Sequence, residues 1–262
     1  LPFGIDDALI NLEQCSHILH LLDQPGIGQL TGLIAKVMQK IIADSAQQNI
    51  QSSDVEAMGE ATNVAKRYLD FLCVRETRAP QFLTATINKL EMVLNLPLTT
   101  EGRFVSPFLA TIHPQVALHE PAQLPETQYL SRLYKISLLN LLKQQETDLD
   151  FQALSLCGNY LASIASQTPS KQYWGYVHLV LNQLPSTILT EPRLRILINI
   201  ESQIQQLLAQ PQQFTVSNDQ LADVIMLCLS QDNEVSHQLR EQLNVVDDIL
   251  SDDQLEVLSR QL

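Results

Sequence analysis

Glycine is scarce in this chain, with 8 among 262 residues. Folds that cradle nucleotide phosphates need glycine in their turns, and neither G-x-G-x-x-G nor G-K-[ST] occurs. No G-x-S-x-G is present to carry a serine nucleophile. Lysine and arginine total only 16 against 29 aspartates and glutamates, a formal net charge of -13. Such a surface repels phosphate backbones and anionic lipid, which argues against nucleic acid and direct membrane-surface binding and favours basic partners. The cysteines Cys15, Cys73, Cys157 and Cys228 are far apart and flanked by apolar residues. They read as buried thiols in a reducing cytoplasm, which excludes a disulfide framework, a zinc site and a reactive thiolate. No apolar run approaches the roughly 18 residues of a membrane span, and no charged-then-apolar leader is present. The chain opens at Leu1 without an initiator Met, so a piece of a longer polypeptide is expected. Strand alternation and a fixed repeat period are both missing.

What is abundant is helical periodicity, carried by a 45% share of hydrophobic residues. Ile5, Leu9, Leu12, Cys15, Leu19 and Leu22 form one stripe at i, i+3 and i+4 spacing, and Asp23-Gln24-Pro25-Gly26 ends that helix. A second helix buries Leu30, Leu33, Ile34, Val37, Met38 and Ile41. After a polar loop over 45–53, Ser53 and Glu56 have the spacing of a capping box for a third helix. That helix carries Val55, Met58, Ala61, Ala65, Tyr68, Leu69 and Leu72. Pro80 opens a fourth, which buries Leu83, Ile87, Leu90, Val93 and Leu94. An antiparallel four-helix bundle over 1–96 is therefore expected. The stretch 97–125 holds Pro97, Pro107, Pro114, Pro121 and Pro125, with Phe104, Phe108, Ile112 and Val116 too apolar for a free linker; it reads as an ordered connector with His113 and His119 structural. A second all-helical domain occupies 126–262, beginning with a helix expected to be central and largely buried. Further helices fall at about 150–167, 170–184, 192–209, 217–230, 233–249 and 251–262. Trp174, with Tyr173 and Tyr176, is expected to pack under neighbouring helices, with an interface anchor as the alternative. The acidic residues of the tail face only Arg240 and Arg260 within it, as a solvated face or a surface for a basic partner.

The chemistry-bearing residues gather on the first helix. At about 100° per residue, Glu13, His17 and His20 fall within roughly 60° of one another, opposite the stripe of Leu12, Cys15, Leu19 and Leu22. An exposed neutral imidazole could accept a phosphoryl group. The stretch Leu12 to Leu22 resembles the site helix of histidine phosphotransfer (Hpt) domains, whose signature is H-x-x-K-G. Laid on this sequence, the signature puts Glu13 at the acceptor, Ser16 at the lysine and His17 at the glycine. The wider chain resembles the FimL and amino-terminal ChpA family of the Chp chemosensory system that controls type IV pili. The matching segments are Leu12 to Leu22, Lys66-Arg67-Tyr68-Leu69-Asp70-Phe71-Leu72, Leu83 to Leu90 with Leu96-Pro97-Leu98, Tyr134 to Leu142, and the region of Tyr173-Trp174; the resemblance spans about 12–208.

That resemblance implies an all-α fold with an Hpt-like bundle first and a second helical bundle after it. It implies a non-catalytic scaffold of twitching-motility signalling, with Glu13, Ser16, His17 and His20 as a pseudo-phosphotransfer docking face. The implied partners are a response regulator, a polar hub protein and components of an adenylate cyclase pathway; the implied location is cytoplasmic, with recruitment to the pole. No cofactor or metal is expected: His17 and His20, three residues apart, lack a third and fourth ligand. Three alternatives stay open. One is the front module of a ChpA-like histidine kinase, one is phosphotransfer through His17 or His20, and one is a helical binding domain unrelated to two-component signalling.

Overall fold

The computed structural model describes residues 4–22, 25–118 and 126–261. Among them every regular element is helical, with eleven α-helices and no strand, so the chain is all-α. Leu1, Asp23, Gln24, His119, Pro121 and Pro125 lie outside the described residues. No helix among the described residues is long and apolar enough to cross a membrane.

The chain forms two compact units. The first comprises 1–104 together with 247–250 and 254–262; the second comprises 105–246 and 251–253. The junction thus falls inside the expected connector 97–125, between Phe104 and Val105. The tail, assigned from sequence wholly to the second domain, is shared between the units.

In the first unit α1 (Ile5–Leu21), α2 (Pro25–Ala46), α3 (Ser52–Val74) and α4 (Thr84–Val93) are joined by short connections. Helix α2 is central and packs on the other three. Its Ile27, Leu30, Ile34 and Val37 meet Ala61, Ala65, Tyr68 and Phe71 of α3 and Leu83, Ile87 and Leu90 in and before α4, all buried. Helix α1 contributes less: Leu12 and Leu19 are only partly buried against this cluster, and Leu22, expected in the apolar stripe, is exposed. The Ser53–Glu56 capping box does not form. Helix α3 starts two residues earlier, after Gln51, which makes no side-chain cap. Asp54 instead turns inward to Lys40 of α2, with Nζ to Oδ2 at 2.5 Å. Asp54 and then Asp44 hold the Lys40 ammonium above its ordinary pKa by accepting hydrogen bonds from it. Pro80 opens a single 3-10 turn, Pro80–Leu83, and the α-helix proper follows at Thr84. Buried Glu91 accepts from the Thr99 amide at 2.9 Å and its hydroxyl at 2.8 Å, which ties the stretch after α4 back onto it.

The second unit begins with a short 3-10 helix, Ser106–Ala110, so the proline-rich stretch is not free of helix as its prolines suggest. It continues through α5 (Thr127–Leu142), α6 (Asp148–Ala165), α7 (Lys171–Asn182), α8 (Glu191–Ala209), α9 (Asn218–Leu229) and α10 (Glu234–Leu243). Val116 and Leu118 lie against Gly175 of α7, and the Val116 amide donates to Gln172 Oε1 at 3.0 Å. Helices α6 and α7 approach closely because Gly158 has no side chain; a Cβ there would sit 3.0 Å from the His178 backbone. Tyr173, Trp174 and Phe214 stack their rings in the interior, and Trp174 is fully buried. This rules out the interface-anchor alternative for Trp174, because no surface of it is left to offer a partner. Helix α5 departs from expectation too. Tyr134, Leu138 and Leu141 face the core, but Tyr129 (57%), Ile136 (59%) and Leu139 (43%) are exposed. Its apolar residues on all sides do not mean that all sides are covered.

The expected helix over 233–249 stops at Leu243, where Asn244 takes a left-handed cap conformation at φ 57°. A last helix, α11 (Asp252–Ser259), follows. The tail's acids are not left to Arg240 and Arg260. Arg78 pairs with Asp248 at 3.5 Å, and Asp219 accepts from Ser106 at 2.6 Å. Arg193 grips Asp252 with both nitrogens, at 2.7 and 2.8 Å, and donates also to the Ile188 carbonyl. Arg240 is buried and donates to the carbonyls of Leu229 and Gln231 at the end of α9. Burial lowers its pKa, yet it places a cation where the helix dipole is negative.

Breaking one half of a buried, bidentate pair strands the other charge. Asp252→Asn should therefore lower the urea-unfolding free energy by about 3 kcal/mol, and Arg193→Met with Asp252→Leu should recover most of that loss.

Candidate functional site

The sequence directs attention to α1. Its first turn carries Asp6 and Asp7, which suit the positive end of the helix dipole. It packs antiparallel on α2, and three side chains set the register. Gln39 Nε2 of α2 donates to Glu13 Oε1 at 2.9 Å. The Ser16 hydroxyl donates to the Gly28 carbonyl at 2.7 Å. The ring of His20 lies across Gly28, so close that a Cβ on that glycine would stand 3.1 Å from three ring atoms. A Cβ on Gly32 would likewise stand 3.1 Å from Ser16 Oγ. Gly28 and Gly32, one turn apart, form the groove in α2 that admits α1.

The four expected site residues therefore part company. Glu13, His17 and His20 are exposed, as a docking face requires. Ser16 is not on that face: it is 8% exposed and turned into the helix contact. The reason is angular. Ser16 lies about 40° from Leu12 and about 60° from Leu19 on the helix projection, at the edge of the side that faces α2, and a small hydroxyl fits there where a lysine would not. Glu13 is held against α2 through Gln39, and His17 is turned to solvent. On the side away from α2, Ile10, Ile18 and Leu21 are exposed, Leu21 to 85%. Ile10, His17 and Leu21 share one strip at i, i+7 and i+11 spacing. Missed from sequence were this strip and the Gly28–Gly32 groove. The signal for the groove was the pair of glycines four residues apart inside an apolar helix.

The cysteines, the histidines and one open groove are the other places among the described residues where chemistry could reside. Cys157 and Cys228 are buried, and burial pushes each thiol up to about 12. Cys15 is half-buried, and Cys73 is exposed, against the expectation of four buried thiols; it lies near the end of α3, where the helix face turns to solvent. His113 is also exposed. No group of three His, Cys, Asp or Glu residues among those described is placed to hold a metal. An open groove of about 500 Å³ on α6 and α7 is lined by Asp148, Ser155, Asn159, His178 and Asn182. The Ser155 hydroxyl there donates to Asn182 Oδ1 at 2.8 Å, so the described geometry shows no activated nucleophile.

The chain matches none of the family models, curated proteins or solved structures with which it was compared.

Burial separates neighbours on α1. Ser16→Leu should destabilise the first unit by about 2 kcal/mol through overpacking against Gly32, while His17→Ala should change stability by less than about 0.5 kcal/mol. Chemical denaturation of the two variants checks both. Thiol labelling at pH 8 should modify Cys73 rapidly and leave Cys157 and Cys228 unmodified until the chain unfolds, because their thiols ionise only near pH 12.

Proposed function

We propose that this chain is a non-catalytic scaffold of type IV pilus signalling whose first unit is an Hpt-like four-helix bundle that has kept recognition and lost phosphotransfer. The observation that carries the reading is Glu13. At the position of the phosphoryl acceptor stands a carboxylate, already anionic and already engaged by Gln39 at 2.9 Å. Phosphotransfer would also need a cation beside the acceptor and a small residue for close approach. Ser16, at the cation's position, is buried against Gly28, and His17, at the small residue's position, is a solvated imidazole. The link to pili rests on the segments Leu12–Leu22, Lys66–Leu72, Leu83–Leu90 with Leu96–Leu98, Tyr134–Leu142 and the region of Tyr173–Trp174.

The antiparallel run of α1 to α4 supports the bundle. Glu13–Gln39 ties α1 to α2, Lys40–Asp54 ties α2 to α3, and Lys89–Glu60 ties α3 to α4 at 2.5 Å. The docking face of the proposal is Glu13, His17 and His20 with the apolar neighbours Ile10 and Leu21; Ser16 is the pin beneath it. A strip that mixes exposed apolar and ionisable side chains on a well-packed helix suits a protein partner. A response regulator is the partner class we assign to it, with a polar hub protein and cyclase-pathway components as further partners of the whole chain.

Two measurements test the proposal. Incubation with a small phosphodonor or a histidine kinase should leave no acid-labile phosphate on the chain; phosphate lost in a His17→Ala/His20→Ala variant would assign phosphotransfer to those histidines instead. Pull-down of a type IV pilus response regulator should succeed with the wild type and weaken at least about ten-fold with Glu13→Lys/His17→Glu, the cost of reversing a contact charge pair. Binding indifferent to that reversal would remove α1 as the docking face.

A further inference from the structure

In a chain with almost two acids for every base, one helix face has the opposite character. Helix α5 contains no aspartate or glutamate. Beyond Thr127 and Gln128 of its first turn, its exposed side chains are Tyr129, Arg132, Lys135, Ile136 and Leu139, and Lys143 follows at its C-cap. Set against buried Tyr134, the residues Tyr129, Arg132, Ile136, Leu139 and Lys143 lie on the outward half of the helix at i, i+3, i+7, i+10 and i+14. They form one strip about 21 Å long at 1.5 Å per residue. None of the three cations makes an ion pair with a described residue, whereas Arg78, Lys89, Arg193 and Arg260 all do.

We infer that this face of α5 is a docking surface for an acidic amphipathic helix of a partner protein, distinct from the α1 face proposed above. Charge and spacing choose the occupant. The apolar trio Tyr129, Ile136 and Leu139 recurs at i, i+7 and i+10, on one side of the helix, which suits the anchors of a helix laid alongside. Arg132, Lys135 and Lys143 accompany that seam and complement carboxylates on the incoming helix. An extended polyanion is disfavoured, because a nucleic acid or an anionic bilayer would also meet the rest of a chain whose net charge is -13. A short acidic helix needs to approach only the cationic strip. Nothing in this inference draws on the pilus reading, so it stands or falls independently.

The test uses the full chain and a fluorescein-labelled synthetic helix of repeating Leu and Glu, read by fluorescence anisotropy at low and physiological salt. Saturable binding is expected, weaker as salt rises. Arg132→Glu/Lys143→Glu and, separately, Ile136→Ser should each weaken it at least about ten-fold, with unchanged circular dichroism as the check on folding. These side chains point to solvent, so folding should be preserved. A scrambled peptide of the same composition should bind poorly. The inference is overturned if the wild type does not bind, if the variants bind as well as the wild type, or if the scrambled peptide binds equally. Stronger patch-dependent flotation with phosphatidylglycerol vesicles would also overturn it. So would self-association in analytical ultracentrifugation that the same substitutions abolish, which would give the face to a second copy of this chain.

Discussion

The hydroxyl of Ser16 on the carbonyl of Gly28, over a groove made by two glycines, is the contact on which the first helix depends. Without side chains at Gly28 and Gly32, α2 lets α1 come close enough for a serine to reach its backbone. That approach fixes the rotation of α1. Once Ser16 points inward, Glu13 and His20 fall to the flank where α2 can hold them, and His17 falls outward. Ile10, Ile18 and Leu21 then have no helix of the first unit to cover them. A lysine in place of Ser16 would find no space there, because Gly28 and Gly32 lie directly beneath it.

Much of the fold was legible because buried helices write their period into the sequence. Leu30, Leu33, Ile34 and Val37 on α2, and Leu83, Ile87 and Leu90 about α4, are named by spacing alone and are buried. What was not legible depends on partners distant in the chain. Asp54 looks like an ordinary first-turn acid until Lys40 is brought beside it. Asp252 looks like part of a solvated acidic tail until Arg193, 59 positions earlier, grips it. Asn244 ends a helix whose apolar period continues past it, because a local backbone conformation overrides the pattern.

The candidate site was legible by angle but not by depth. A helical projection separates Glu13, His17 and His20 from the apolar stripe, yet Ser16 sits at the border, and only the neighbouring groove decides which way the border residue turns. The opposite error occurred on α5, where apolar residues on every side suggested full burial. Tyr129, Ile136 and Leu139 are exposed, with Arg132, Lys135 and Lys143 among them. The segments that carry the family resemblance are mostly core: Tyr68, Phe71, Leu83, Ile87, Tyr134, Leu138 and Trp174 are buried. Their burial bears on packing, and the docking face of the proposal rests on what α1 presents.

The central claim, recognition through α1 without phosphate, is tested most directly by titrating a response-regulator receiver domain into the isotope-labelled chain with a phosphodonor present, and following amide shifts and phosphorus resonances together. The account predicts shifts concentrated on Glu13, His17, His20 and their exposed neighbours Ile10 and Leu21, with no phosphohistidine signal. A phosphohistidine resonance from this chain, or shifts that spare α1 altogether, would contradict it.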